Sequence, residues 1–549
     1  QAIRKAVPNI LLQMLMRGMN GVGYAAYPDN LIEKFVEKSW ENGIDIFRIF
    51  DSLNWMENIA PCIEMVRKKT NAIAEGAFCY TGDILDPNRK KFTLDYYLQL
   101  AKDLENAGAH ILCIKDMSGL LKPYAAKELI TGLKSTVNIP VHLHTHDTSS
   151  LQPATYLMAL EAGVDVIDCA IGSLSGLTSQ PNFNAIVELM KFHPRENAYD
   201  IKSLQQFSDY FGAVREYYYP FESGLKAGAA DVFQHEIPGG QYSNLKPQAK
   251  ALGLGDKFEQ IKEMYAVVND MFGDIVKVTP SSKVVGDMAQ FMVANNLSKE
   301  DIYTKGESIS FPESVHQFFS GEIGRPTGGF PEDLQKIVLK DKQPMTSRAG
   351  LQLPPIDFDK ALAAFKAKFG ADLTLLDFLS YQFYPKVFED YLIQKRKFGD
   401  VSVVPTPIFL YGLKVGEDAT IEIAQGKTLL IRLLSIGPID DQGKRTLFFK
   451  LNGQTRNVEV ADKSVKVVLK ENKKIEANNP LQIGAPLQGM LSKVLVKTGD
   501  EVKKNQPLFV IEAMKMETVV TAVATGTIKH IELVVGSLVN TGDLVVEWA

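Results

Sequence analysis

Cysteine is scarce in this chain: Cys62, Cys79, Cys113 and Cys169 are the four present in 549 residues, and no two of them form a C-x-x-C pair. That count excludes a disulfide-stapled scaffold and a four-cysteine zinc site. Three of the four fall in apolar strand-like runs, which points to buried, reduced thiols in a cytoplasmic protein. Net charge is small as well. A formal charge of −5 at pH 7 supplies no global basic field for nucleic acid. No apolar run approaches the length needed to span a bilayer, so no membrane partner is expected. Gln1 is not followed by a charged segment and an apolar core of the kind that marks secretion. The single lysine-dense stretch (Lys463, Lys466, Lys470, Lys473, Lys474) has Glu471 and Glu476 among it and reads as a solvated linker rather than a phosphate-binding patch. What is present is ordinary globular composition, 45% hydrophobic and 23% charged, over a length that calls for three or four domains.

From Asn9 to Gly176, six apolar runs alternate with amphipathic helical stretches: NILLQMLMRG, DIFRIFD, IAEGAFCYTG, HILCIKDMSG, VHLHTHDTS and VIDCAIGSLSG. Alternation of this kind implies parallel βαβ units. The expected fold class is α/β, a (β/α)8 barrel of TIM type with its first two strands missing from the front, because after Gly176 the pattern turns helical. A doubly wound sheet is the alternative. Arg17, Asp51, Lys115-Asp116 and His144-Thr145-His146-Asp147 lie where these runs give out at their C-terminal ends, the catalytic face of such a barrel. The expected division is 1–190 for the partial barrel, 191–395 for a helical extension, 396–478 for a small β domain and 479–549 for a final β-rich domain. In the third segment TIEIA, TLLIRLLSI, TLFFKLNG and NVEVAD alternate with period two, and DDQG and NG mark turns. In the fourth, Gly489, Gly499 and Val502 recur at one spacing as Gly526, Gly536 and Val539, like two halves of a small flattened barrel.

His142, His144 and His146 alternate along one run and so share a face. Imidazoles two apart at a strand end make a plausible metal pair, His144 with His146, while His142 sits one step deeper and reads as packing. Lys115 ends the neighbouring run. A free ammonium beside a dication is repelled, so Lys115 is salt-bridged to Asp116, displaced from the metal, or converted by CO2 to a carbamate able to ligate. Thr279, before Pro280 in VTPSSK, reads on physical grounds as a helix cap. Lys515 lies in Glu512-Ala513-Met514-Lys515-Met516-Glu517-Thr518, an amine on a flexible stem at a hairpin tip with no β-branched neighbour. This is the setting of an exposed turn lysine or of the acceptor in a biotin-carrying domain.

Taken in order, IKDMSGLLKP, HLHTHDTS, KVTPSSKVVGD, FLYGLKVGE and EAMKMET resemble the carboxyltransferase, central β and biotin-carrier regions of the pyruvate carboxylase family, over essentially the whole chain. The resemblance implies that Lys115 is carbamylated and, with His144 and His146, binds Zn or Mn. It implies that Arg17 holds the pyruvate carboxylate, that Thr279 relays a proton between pyruvate and biotin, and that Tyr24 and Ser282 line the biotin pocket. Lys515 then carries covalent biotin placed there by a biotin protein ligase. The family's fourth ligand, an aspartate on the first barrel strand, has no counterpart here, and Ser118 stands where the family often has alanine. The implied reaction is transfer of CO2 from carboxybiotin to pyruvate, giving oxaloacetate, an anaplerotic step toward gluconeogenesis. In the family it is coupled to an ATP- and Mg-dependent biotin carboxylase domain. Family members are commonly homotetramers, with acetyl-CoA or a cyclic dinucleotide as effectors. The α subunit of a biotin-dependent oxaloacetate decarboxylase is the nearest alternative, but such subunits read HCHAT where this chain has His144-Thr145-His146-Asp147-Thr148. A non-catalytic biotin carrier would account for Lys515 and not for the histidines. A lipoyl carrier shares the small barrel, and the flanking methionines favour biotin.

Overall fold

The structure is a computed structural model that describes every residue except 223, 441, 463–471, 477, 478, 480, 514, 515 and 549. Six parallel strands, β1 (Gln13–Met16), β2 (Ile46–Ile49), β3 (Ile73–Cys79), β4 (Ile111–Asp116), β5 (Val141–Thr145) and β6 (Val166–Ile167), pair in chain order into one curled sheet of the (β/α)8 type. They are the six runs read in the sequence. Helices cover the outer face, and parallel strands buried on both faces read as continuous apolar runs rather than alternating ones. In β3 every residue after Ile73 is buried. The helix Leu94–Asn106 shows how the outer layer is specified: Tyr97, Leu100, Ala101 and Leu104 form its buried stripe, and Thr93 caps it by accepting from the Tyr96 N–H. Side chains at the C-terminal strand ends, Arg17, Asp51, Lys115, His144 and Asp168 among them, therefore gather on one rim.

The chain divides into two compact units. Beyond the sheet, the first unit continues through helices centred on Ser281–Ala294, which is buried on all sides from Val284 to Val293. A helix apolar around its whole circumference belongs in a core, and here helices Phe258–Met271 and Glu313–Phe319 pack on it. The first unit also contains residues 472–549. There, β11 (Gln482–Gly484), β12 (Gly489–Val494), β13 (Glu501–Val502), β14 (Pro507–Ala513), β15 (Met516–Thr521), β16 (Gly526–Ile531), β17 (Leu538–Val539) and β18 (Leu544–Trp548) form two four-stranded sheets, ordered β11-β18-β16-β13 and β15-β14-β12-β17. The repeat seen in the sequence is structural. Gly489 and Gly526 open β12 and β16, Val502 and Val539 are buried, and Gly499 and Gly536 hold φ values of 92° and 93° that a residue with a Cβ takes up only with strain. Strands β14 and β15 pair as far as Ala513 opposite Met516; Lys515 lies outside the described residues.

The second unit comprises residues 212–222 and 380–471. Its sheet is an antiparallel meander of β7 (Asp418–Ala424), β8 (Lys427–Ile439), β9 (Lys444–Leu451) and β10 (Gln454–Ala461). Asn452 and Gly453, at φ 46° and 88°, make the turn that the NG pair announces. The lysine-dense stretch is not wholly linker. Lys463, Lys466, Lys470 and Glu471 lie outside the described residues, but Lys474 donates to Asp543 at 2.6 Å and to the Thr541 carbonyl at 2.9 Å, tying this end of the stretch to the final β domain. Cys62, Cys79 and Cys113 are buried free thiols and Cys169 is a half-buried one. Among the described residues no helix is long and apolar enough to cross a membrane.

Candidate active site

Strands β4 and β5 are in register with Lys115 opposite His144. Parallel pairing puts both side chains on the same face at the same height, and two residues further on His146 reaches that face again. The Nδ1 of His144 meets the Asp168 carboxylate at 2.7 Å, and the Nδ1 of His146 meets the Thr178 carbonyl at 2.6 Å. Both partners are pure acceptors, so each Nδ1 carries the proton and each Nε2 is left with a lone pair. The two Nε2 atoms face each other at 3.3 Å. Burial pulls His144 down to about 4 and His146 to about 3, the second with help from the first, so both rings are neutral at physiological pH. Neutral imidazoles oriented through Nδ1 are the form that binds a metal. The backbone fits closely around them: Gly119, at φ +72°, has no Cβ, and one placed there would lie 2.3 Å from the His146 carbonyl oxygen.

His142 differs. Its Nδ1 faces Glu75 at 2.6 Å and its Nε2 faces Asp168 at 2.8 Å, which leaves no nitrogen for a metal. Burial opposes a charge on this ring, but the bonds to Asp168 and Glu75 outweigh it and raise its affinity for a proton. Asp168 is the hub, since its carboxylate also accepts Arg48 Nη1 at 2.6 Å. Sequence reading missed Asp168, Arg48 and Glu75. For Asp168 the signal was there, because it is the polar residue ending the sixth apolar run, as Lys115 ends the fourth.

Lys115 is 1% exposed. Its Nζ lies 4.8 Å from the centre of the Phe50 ring and contacts the Met117 sulfur. Desolvation pulls its pKa down to about 8. The anticipated Asp116 partner is otherwise engaged: its carboxylate accepts the N–H groups of Leu120 and Leu121 and the Thr145 hydroxyl, so it shapes the loop after β4. Asp51 does the same for the loop after β2, accepting from Leu53 N, Trp55 N and Asn58 Nδ2. Among the described residues no group of three His, Cys, Asp or Glu side chains is gathered to hold a metal. A cation between His144 and His146 would need a further donor, and Lys115, in register with His144, is its neighbour.

Arg17 directly follows β1, with its guanidinium 5.8 Å from the centre of the Phe50 ring and 4.9 Å from that of the half-exposed Tyr24 ring. Its Nε donates to the Thr279 carbonyl at 3.2 Å and its Nη1 to the Val22 carbonyl at 3.0 Å. Phe50 thus links Arg17 to Lys115, and Arg17 links both to Thr279. Thr279 does not cap the following helix: Pro280 holds the cap position and no side chain serves it. Ser282, in the first turn, is fully buried and its hydroxyl has no partner among the described residues.

Comparison with known proteins bears on this arrangement. Three family models match: HMGL-like over residues 49–210, conserved carboxylase domain over 232–432 and biotin-requiring enzyme over 481–547. Pyruvate carboxylase of Bacillus subtilis is 51% identical over 545 residues, covering 99% of this chain and 47% of the relative. That of Staphylococcus aureus is 49% identical over 548 residues, covering 100% and 48%. The chain thus spans about half the length of these curated relatives. A solved carboxyl transferase domain of Rhizobium etli pyruvate carboxylase, with pyruvate and biocytin, superposes with a TM-score of 0.80 at 48% identity, over 84% of this chain and 77% of that one.

Proposed function

Since the chain belongs to the pyruvate carboxylase family, we propose that it performs the carboxyltransferase half of that family's reaction, forming oxaloacetate from pyruvate with biotin carried on Lys515. The observation that carries this reading is the pair of neutral imidazoles, His144 and His146, whose Nε2 atoms converge at 3.3 Å beside a buried lysine. The donor set fits a divalent cation of the Zn or Mn kind: two oriented Nε2 lone pairs, with Lys115 as carbamate for the third donor. Burial lowers the pKa of Lys115 to about 8, so part of it is the neutral amine that reacts with CO2, and the carbamate exchanges a buried positive charge for a negative one. When bound, the cation would supply Lewis acidity toward a 2-oxo acid, and biotin would supply a tethered carrier for the carboxyl group.

The chain's own residues do the rest. Arg17 binds the pyruvate carboxylate through Nη2, which its contacts to Thr279 and Val22 leave available, and a guanidinium suits a planar carboxylate. Thr279 Oγ1 would take the proton that leaves the pyruvate methyl and give its own to the carrier biotin, which has released CO2, so that the enolate can form a carbon–carbon bond to that CO2. Tyr24, stacked against Arg17, and Ser282, with its unpartnered hydroxyl, line the approach of the carrier. Preorganised charge of this kind is usually the largest catalytic term. The same family reading brings a cytoplasmic location, a biotin protein ligase, a homotetramer, acetyl-CoA or cyclic dinucleotide effectors, and coupling to ATP and Mg in the whole protein. The four-part division at 190, 395 and 478 belongs to the same proposal. The test is the reaction: intact protein, biotinylated and metal-replete, should form oxaloacetate from pyruvate, bicarbonate and ATP. Absence of oxaloacetate under those conditions overturns the reading.

A further inference from the structure

Glu236 occupies a crossing that the proposed chemistry does not use. It adopts φ +54°, a left-handed conformation that residues with a Cβ rarely take. Its main-chain carbonyl accepts the Ser118 hydroxyl at 3.0 Å, three residues past Lys115. Its carboxylate accepts Lys277 Nζ at 2.9 Å, two residues before Thr279, together with Arg89 Nη2 and the Thr81 hydroxyl, the last at 3.4 Å. Arg89 continues to Asp274 at 3.1 Å, and Asp274 is itself at φ +53°. Lys277 closes the ring, 3.9 Å from Asp274, and anchors its own segment by donating to the Ile275 carbonyl at 3.0 Å. Two anions and two cations thus alternate around a ring whose most enclosed members are Lys277 at 1% and Glu236 at 9% side-chain exposure. Lys91 adds a bond to the Gly273 carbonyl at 2.7 Å.

Desolvation makes such a cluster a weak source of net stability, and two left-handed residues count against it. What the ring does is geometric. It fastens the loop after β3, through Thr81 and Arg89, and the loop after β4, through Ser118, to the short segment that ends in Thr279. Burial works against the Glu236 charge, yet Lys277 and Arg89 hold its carboxyl below the ordinary range.

We propose that Glu236 is a positioning residue for carboxyl transfer: through Lys277 it sets Thr279 in register with the end of the Lys115 strand. This rests on the reading of Thr279 as the group that moves the proton. A hydroxyl displaced by about 1 Å from a reacting carbon can lose on the order of a hundredfold in rate, whereas Arg17, which meets Thr279 through its main-chain carbonyl and is also held by the Val22 carbonyl, keeps its hold on pyruvate.

The experiment uses the intact protein, with kcat and pyruvate KM for oxaloacetate formation, thermal midpoint and biotin content measured together. Glu236→Gln should lower kcat about 10- to 100-fold with KM within about twofold and biotin content unchanged. Lys277→Met should match it, and Lys277→Arg, which retains the cation, should recover most of the kcat. Thr279→Ala is run alongside. If Thr279→Ala is inactive while Glu236→Gln keeps kcat within about threefold of wild type, the positioning role is wrong and the Thr279 reading stands. If Thr279→Ala is active, the reading beneath the proposal fails. Should Glu236→Gln fold poorly, the Lys277 pair decides, because equal kcat for Lys277→Met and Lys277→Arg overturns the proposal.

Discussion

The Nε2 atoms of His144 and His146 face one another at 3.3 Å, although each ring has committed its only proton to an acceptor on its far side. Two lone pairs brought together have no attraction for each other. The arrangement is stable because Asp168 and the Thr178 carbonyl hold the rings from behind, and it becomes favourable once a cation lies between them.

The first prediction is therefore about metal content. His144→Ala or His146→Ala should lower bound Zn or Mn, measured by elemental analysis of the intact protein, and abolish oxaloacetate formation. His142→Ala should keep its metal, since both of its nitrogens face carboxylates. Asp168→Asn should fall between, with metal affinity down about 10- to 100-fold, the usual cost of losing the partner that orients a ligand. Equal metal in all four variants would remove the site.

Arg17 and Thr279 touch, so their variants need separating by kinetics. Arg17→Lys replaces a planar fork by a point charge and should raise pyruvate KM about tenfold or more, with a smaller effect on kcat. Thr279→Ala should lower kcat by about 100-fold or more, the range for loss of a proton-transfer group, with biotin loading intact. If the two variants show the same pattern, the division of labour between them is wrong.

Lys515 is predicted to be the biotin acceptor. Streptavidin blotting of intact protein should detect wild type and not Lys515→Arg. A band persisting in the variant would place the acceptor elsewhere.

Stability should depend on pH through Glu236. Its carboxyl is held below the ordinary value of 4.5, because Lys277 and Arg89 outweigh the upward push of burial. A group depressed in this way stabilises the folded state above its ordinary range, and the contribution is lost as pH falls below it. The difference in urea midpoint between wild type and Glu236→Gln should accordingly be present at about pH 6 and shrink below about pH 4.5. A difference that stays constant down to about pH 3 would mean that the charge does not carry it.

Much of this protein was legible along the chain. Six parallel strands announced themselves as apolar runs: β2 to β5 are buried almost throughout and need an unbroken apolar sequence, β1 and β6 at the sheet edges keep exposed residues, and the polar residues at the strand ends marked the rim of the candidate site. The NG turn between β9 and β10 and the paired Gly499 and Gly536 were readable because a left-handed backbone selects residue types directly. The roles proposed for Lys115, Arg17 and Thr279 rest on motif resemblance, since nothing in their spacing distinguishes a salt-bridged lysine from a carbamate or a cap from a relay. Tertiary structure decided what periodicity does not encode: that Asp116 is occupied by its own loop, that Asp168 stands behind His144, that the Arg17 and Lys115 cations share the Phe50 ring, and that Glu236 joins Ser118 to Lys277. The first is settled by the N–H groups of Leu120 and Leu121 a few residues on, while the others are contacts between segments distant in the chain. Local patterning carries the period of an element and the face it buries, whereas the meeting of two loop ends depends on how the whole sheet curls and brings its strand ends to one rim.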